Sequence, residues 1–556
     1  MTAALAKTSA RLMFDESYGW ARFANGGVTF WFKGYEQSRH GAALAREAAA
    51  LPSDRRKIEA WLRTLDGSFA LAVETLAWTL VATDRVGSMP LIWTRRDGRV
   101  YVTQDGRALE RELSLGPSDI DPAGAGSIAL AGYTIGADTL YQGVHRLLPG
   151  QYLMLDGKQD AAAAYHQWRP WQPADAEPDE LVEQLSRLHE RIIDKLVKSA
   201  GGRPILVPLS AGLDSRMILS GLVAAGYRKL RAFTYGLPGN REALLAKRIA
   251  ERLGVDWSFH AYSQAVLRGA VASAAHQSYE AYADSLTGIH FPQDYFALTA
   301  LIEDRSAGPD TIVVNGQTGD FITGNHILPP LTEPALDATP ASRMDRILET
   351  ALNKHFKMWR ALQTAEFLDP IRRRLRQDVA VAGGLPASAL GDHGVYEYSE
   401  FVNRQSKYVI HGQRCYEFLG LDWRLPLWDR DYLDFWGAAP LAAKRGQKLY
   451  RAVLERDNWG GVWRDLPINP LRVRPAWMVP IRLALKVAHA PLGRARWRKF
   501  ERRHLEYWTA PLCSYAPWSY RRIARDRRGH ANALAWYCEA YLNAKGVAWD
   551  GRLLPS

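Results

Sequence analysis

A chain of 556 residues is too long for one hydrophobic core and calls for two domains or more. Its hydrophobic fraction of 47% is ordinary for a soluble globular protein, and it holds no apolar run long enough to cross a bilayer as a helix. The net charge of +12 suits an anionic substrate, a membrane surface or nucleic acid; the three cysteines, Cys415, Cys513 and Cys538, form no CxxC pair, which excludes a sequence-local zinc knuckle and fits reduced thiols in a cytoplasm.

Met1 to Phe14 carries no apolar core of signal-peptide length, and about fifteen residues precede anything strand-like by pattern. From Tyr18 to Gln167 the chain reads mostly as short strands rich in β-branched and aromatic residues: Val28–Phe32, Phe69–Val73, Trp78–Ala82 and Val100–Val102. Helical patterns sit between them at Gly41–Leu51 and Arg55–Leu65. The proline-rich stretch Arg169–Pro178 reads as a linker. The expected organisation is a first domain over 1–168, a linker over 169–180 and a second domain over 181–556.

Beyond the linker a long helix, Asp179–Ser199, opens a different regime. Strand and helix alternate: Ile205–Leu209, Arg216–Gly226, Leu230–Tyr235, Arg241–Leu253, Trp257–His260. That order predicts an α/β fold with a doubly wound parallel sheet, whose ligand site lies at the carboxyl ends of the strands. From about Arg343 the chain is mainly helical.

The most informative run is Ser210-Ala211-Gly212-Leu213-Asp214-Ser215, between a strand and a helix. Backbone N–H groups in such a turn point outward together, and the helix dipole favours an anion there. Ser210 and Ser215 add hydroxyl donors. Asp214 repels a bare phosphate, so its presence implies a divalent metal between carboxylate and phosphates. The run reads as a pyrophosphate loop for ATP. An ordinary polar turn is the plainer reading of six residues alone. A second close-approach loop follows the strand pattern Thr311–Val314: Asn315-Gly316-Gln317-Thr318-Gly319-Asp320. Asp320 can meet the same metal as Asp214.

The first run resembles the Ser-Gly-Gly-x-Asp-Ser signature of the PP-loop ATP pyrophosphatases. Ala211 replaces one glycine, which is tolerable where φ stays negative. Over nearly its full length the chain is similar to the asparagine synthetase family. The resemblance rests on Asp66-Gly67-Ser68-Phe69-Ala70, Asp84-Arg85-Val86-Gly87-Ser88-Met89-Pro90-Leu91, Leu147-Leu148-Pro149-Gly150-Gln151 and the two loops. It implies an N-terminal α+β sandwich of the glutaminase, N-terminal-nucleophile type, ahead of the doubly wound synthetase domain with its helical C-terminal part. It implies ATP and Mg2+ as cofactors, with Asp214 and Asp320 as metal ligands. It places Leu209, Ser210, Gly212, Asp214, Ser215 and Gly316 around ATP. Lys448, in the run Gln447–Arg451, is the candidate for the family's pyrophosphate-steadying lysine; a solvated helix lysine is the plain alternative.

Two departures stand out. The family's nucleophile is a cysteine at residue 2, and here residue 2 is Thr2, so the first domain is expected to lack glutaminase activity. Ammonia or an external amine would then come from elsewhere. In the second loop Gln317 stands where the family has a glutamate, and Phe321 replaces another acid. Gln317 can still hydrogen-bond the reacting centre, and a less acidic loop admits an anionic substrate.

The implied chemistry is attack of a substrate carboxylate on the α-phosphorus of ATP, then displacement of AMP by a nitrogen nucleophile. The C-terminal half resembles the asparagine-synthetase-like amidotransferases of bacterial surface polysaccharide synthesis, which points to a uronic-acid sugar as the carboxylate. Arg404, Lys407 and Arg424 are candidates to hold it, with structural ion pairing the equal alternative. Trp423 and Trp428 are candidates to stack on sugar faces. Aspartate, as in asparagine synthesis, a peptide, as in the lasso-peptide cyclases, and a non-catalytic scaffold remain alternatives. No nucleic acid is expected: thiolating tRNA-modifying relatives use paired cysteines. The basic stretch 472–503 can lie on an anionic inner-membrane surface; a solvated helix packed by its apolar face is the plainer alternative.

Overall fold

The computed structural model describes residues 9–157, 160–173, 176–290, 294–468, 476–509 and 518–547. Thr2, Cys513 and the start of the basic stretch at 472–475 lie outside them.

Among the described residues the first domain is built on ten strands: β1 (Ser9–Met13), β2 (Ala21–Asn25), β3 (Val28–Glu36), β4 (Gly67–Glu74), β5 (Thr79–Thr83), β6 (Ile92–Arg96), β7 (Arg99–Thr103), β8 (Val144–Arg146), β9 (Gln151–Leu155) and β10 (Ala162–Ala164). They form one sheet in the order β10-β9-β5-β4-β3-β2 and a second in the order β1-β7-β6-β8. The two-residue period of a strand decides what each face meets. On β4, Phe69, Leu71 and Val73 join Leu44, Ala48, Ile58 and Leu62 of the helices Gly41–Ala49 and Arg55–Thr64. Ala70 and Ala72 turn the other way, into the core that contains Ile92, Val100 and Val102 of the second sheet. A helix-covered two-sheet sandwich results. The expectation that nothing strand-like precedes residue fifteen is corrected: Ser9–Met13 pairs in parallel with β7. Its side chains are mostly half-buried, so it lacks the apolar alternation that would reveal it.

The chain entering the proline-rich stretch is packed, with Trp171 edge-on to Tyr398. Trp168 and Trp171 are buried, and Trp168 Nε1 donates to the Leu433 carbonyl at 2.9 Å.

The second domain carries a parallel sheet of β11 (Ile205–Pro208), β12 (Leu230–Gly236), β13 (Asp256–Ala261), β14 (Ile312–Val314) and β15 (Asp422–Arg424), in the order β13-β12-β11-β14-β15. Helices Pro178–Ala200, Asp214–Ala224 and Arg241–Leu253 alternate with the strands. From β11 the order runs outward in both directions. The topological switch therefore lies between β11 and β14, and the loops leaving these two strands face each other there. Short β15 is the element the sequence hides. It is three residues long and contributes its Arg424 carbonyl to the Asn315 amide at 3.2 Å, which fixes the second loop to the sheet edge.

Candidate active site

The first loop is tied to itself by its serines. Ser215 Oγ accepts from the Ser210 amide at 3.0 Å and lies 3.1 Å from Ser210 Oγ, which accepts from the Gly212 amide at 3.2 Å. Ala211 is absent from the positive-φ residues, so its side chain costs nothing, as expected. Arg216, fully buried, donates to the carbonyls of Ala211, Val462, Leu466 and Pro467. One guanidinium thus clamps the loop to the chain near 462–467. Leu209 ends the strand, its amide bonded to the Phe233 carbonyl and its side chain in the core.

The second loop touches the first directly. A Cβ on Gly316 would lie 2.7 Å from the Ser215 amide nitrogen and 2.9 Å from the Asp214 carbonyl carbon. A Cβ on Gly319 would lie 2.3 Å from Asp214 Oδ1. Both approaches require glycine. The Asp320 amide donates to Asp214 Oδ2 at 2.9 Å, while Asp214 Oδ1 is buried with no hydrogen-bond partner. Burial and the nearby Asp320 push the Asp214 carboxyl well above the usual range. A buried carboxylate oxygen with no close donor, near a second acidic residue and with Tyr450 on its flank, is what a cation would satisfy. Asp214 and Asp320 therefore fit a magnesium ion; in the same loop Gln317 Oε1 is also buried and unpartnered. Thr318 takes φ 80°, a left-handed conformation that a β-branched residue rarely adopts.

Next to Asp320 lies a polar hub invisible in the sequence. Glu400, fully buried, ends the helix Asp392–Glu400. It accepts from His326 Nδ1 at 2.5 Å, Lys354 Nζ at 3.2 Å, Tyr396 Oη at 3.0 Å and Gln405 Nε2 at 3.0 Å. His355 Nε2 lies 3.1 Å away. His326 Nε2 reaches Asp320 Oδ2 at 3.1 Å. Burial alone would lower the His326 pKa, but Glu400 and Asp320 outweigh it and hold the ring up at about 8. Burial would also raise the Glu400 carboxyl; His355 and His326 overcome it and hold it well below its ordinary value. Arg404 stands 3.5 Å from Glu400 and senses Asp320. Both Phe321–Asn325 and Phe401–Val409 are π-helical, a winding that re-aims side chains and recurs at functional sites. The sequence signal for this hub was thin: polar residues at i,i+4 along Tyr396–Arg404, and a histidine shortly after Asp320.

Several expected site residues lie elsewhere. Lys448 is exposed at the start of the helix Lys448–Asp457, while Tyr450, two residues on, is the side chain beside Asp214. Residues two apart on a helix point to opposite sides. The buried lysine of this segment is Lys444, paired with buried Glu397 at 3.0 Å. Lys407 is buried in the seam between domains, where Nζ donates to the Thr134 carbonyl at 2.8 Å. Arg424 lies in the same seam, stacked 4.0 Å over the Tyr35 ring and bonded to Asp422 and Ser199. Phe321 packs against Trp168 and Trp428 in the core, so it does not alter the charge of the cleft. Trp423 and Trp428 are buried and offer no face to a sugar. Of the three proposed substrate cations, only Arg404 lies at the Glu400 hub next to the second loop.

The hallmark Asp84 is buried and structural. It accepts from the amides of Phe69, Val86 and Ser88, and from Ser88 Oγ. Asp66 faces the second domain, 3.2 Å from Lys195.

Two family models match the chain: "Glutamine amidotransferase domain" over residues 55–168 and "Asparagine synthase" over 192–456. No curated protein matches. Among solved structures, glutamine phosphoribosylpyrophosphate amidotransferase from B. subtilis, complexed with ADP and GMP, is 14% identical, covering 49% of this chain and 77% of that one, with a TM-score of 0.20. The NH3-dependent NAD synthetase from Campylobacter jejuni is 15% identical, covering 38% of this chain and 98% of that one, with a TM-score of 0.20. The chain thus joins a glutamine amidotransferase domain over 55–168 to an asparagine synthase domain over 192–456, an arrangement that supports an ATP-dependent, amide-forming amidotransferase.

Proposed function

We propose that the protein activates a sugar uronate as its acyl-adenylate and passes ammonia or an external amine to it, in the assembly of a surface polysaccharide. The observation that carries the ATP chemistry is the pair of loops at the sheet switch point, with the unpartnered Asp214 oxygen between them. Asp214 and Asp320 would hold magnesium, which when bound neutralises charge on departing pyrophosphate. The Ser210–Ser215 turn offers its amides and hydroxyls to the phosphates. Gln317 orients the reacting carbonyl by hydrogen bonding, since it cannot act as a carboxylate base.

The acceptor is read from charge. Arg404, Lys354 and protonated His326 gather around Glu400 and Asp320, three positive groups against two carboxylates. Such a cluster suits a carboxylate-bearing substrate. Aspartate meets the same charge requirement, so the uronate reading rests on the resemblance of the C-terminal half and on the chain's surface.

That surface is the helical hairpin Met478–His489 and Gly493–His504. On the first helix Val479, Leu483 and Val487 follow one another at i,i+4 and are 47%, 60% and 66% exposed, with Trp477 at 56% beside them. The second helix carries Arg494, Arg496, Arg498, Lys499, Arg502 and Arg503. Apolar residues open to solvent next to a dense positive charge match an anionic lipid surface, where lipid-linked glycans are built. No helix among the described residues is long and apolar enough to cross a membrane. The first domain holds no cysteine in its sequence, which supports its reading as a glutaminase-inactive scaffold. Residues 1–168 and 181–556 remain the proposed domains.

The test of the ATP chemistry is magnesium-dependent AMP release on addition of a carboxylate. Asp214→Asn and Asp320→Asn should each lower it by about 10²-fold or more while the fold persists. Near-normal turnover in both would remove the metal assignment.

A further inference from the structure

Helix Ala274–Ala283 presents His276 and Glu280 at i,i+4, on one face. His290 arrives from the segment that follows. His276 Nδ1 lies 3.6 Å from Glu280 Oε1, and His290 Nε2 lies 3.4 Å from the same oxygen. The three ligand atoms all fall within 4.8 Å of one another. A tetrahedral zinc ion with bonds of about 2.0–2.1 Å to nitrogen and oxygen sets its ligands about 3.3 Å apart, so two of the three edges are already near that spacing.

The polar atoms are poised and unspent. His276 is fully buried, and neither of its ring nitrogens has a hydrogen-bond partner; the same holds for His290 Nε2. Buried polar groups normally find partners, and an exception calls for an ion or water. Aromatic rings hold the imidazoles in place. Phe296 stacks on His276 at 5.5 Å, and Tyr279 meets His276 and His290 edge-on. Glu280 is 36% exposed and borders a cavity of about 80 Å³ that also touches Arg107 and Tyr537.

We propose that His276, Glu280 and His290 bind a zinc ion, with the fourth coordination position open to this cavity. Two imidazoles and one carboxylate form a borderline donor set, which favours zinc over magnesium or calcium. The ion would clip the helix to the segment carrying His290, which leads on to Asp294. Asp294 in turn meets Asn315 of the second ATP loop at 3.3 Å. The site stands independently of the acceptor assignment.

The test uses the full chain, purified without a histidine tag and stripped with a chelator. Titration with cobalt should give one equivalent of tight binding with visible d–d absorption that zinc abolishes. Because His276 is in the core, the variants are Glu280→Gln and His290→Gln, each expected to weaken metal binding about 10-fold or more. Asp214→Asn should leave it unchanged. Absence of the cobalt absorption in the wild-type chain would overturn the proposal. So would wild-type affinity in both variants, or loss of the signal in Asp214→Asn alone.

Discussion

At the scale of single residues, exposure and direction decide what chemical type cannot. Arg404, Lys407 and Arg424 are alike in sequence, yet one lies against Glu400 near Asp320 and two are consumed by the seam between domains. This separates their variants. Arg404→Ala should raise KM for the carboxylate substrate about 10-fold or more, since a charge-assisted contact is lost. Lys407→Met should leave that KM unchanged and cost about 1–3 kcal/mol of stability, because the Thr134 carbonyl loses its donor. Steady-state kinetics with a denaturation curve reads both; a KM effect from Lys407→Met would return it to the site. The loop residues were legible because Asp214, Gly316 and Asp320 sit in contiguous turns next to apolar strands. Glu400 and His326 were not, because they are 74 positions apart and meet only in the folded chain. Lys448 misled because its helix phase, set by buried Leu449, Tyr450 and Val453, turns it outward.

At the scale of elements, the parallel strands announced themselves as short apolar runs with helices between, and Arg241–Leu253 has the bounds its periodicity gives. Strand β1 stayed hidden because its side chains are mostly half-buried, and β15 because it is three residues long and carries Asp422 and Arg424. In the hairpin 478–504 the sequence allowed either a membrane-facing stretch or a solvated helix packed by its apolar face, and the folded chain leaves much of the apolar face in solvent. Replacing Leu483 and Val487 with glutamate should therefore abolish co-sedimentation with vesicles containing phosphatidylglycerol and leave ATP binding intact. Equal binding by wild type and variant, or binding to neutral vesicles only, would show that the face meets something other than an anionic bilayer.

At the scale of the whole molecule, the two domains are joined by buried polar contacts rather than by a tether. Lys33 meets Glu417 at 2.6 Å, Arg146 donates to the Ser406 carbonyl at 3.0 Å, and Asn403 accepts from the Gly136 amide at 2.7 Å. Removing one partner of a buried pair such as Lys33–Glu417 typically costs about 3–5 kcal/mol, so the seam binds the first domain to the second whether or not it is an enzyme. The account gives that domain a supporting role. The purified chain should release no glutamate from glutamine, and ammonium salts should sustain amide formation. Glutamine-dependent synthesis by the protein alone would restore the domain as an ammonia source.

The central claim is that a sugar carboxylate is adenylated at the loops carrying Asp214 and Asp320. The measurement closest to it follows oxygen: a sugar nucleotide with an 18O-labelled uronate carboxylate is incubated with ATP, magnesium and ammonium, beside labelled aspartate. Attack on the α-phosphorus and later displacement by nitrogen leave one substrate oxygen on the phosphate of AMP. The account predicts 18O-labelled AMP and an amide from the uronate, and neither from aspartate. Label in AMP from aspartate alone, or ADP formed in place of AMP, would contradict it.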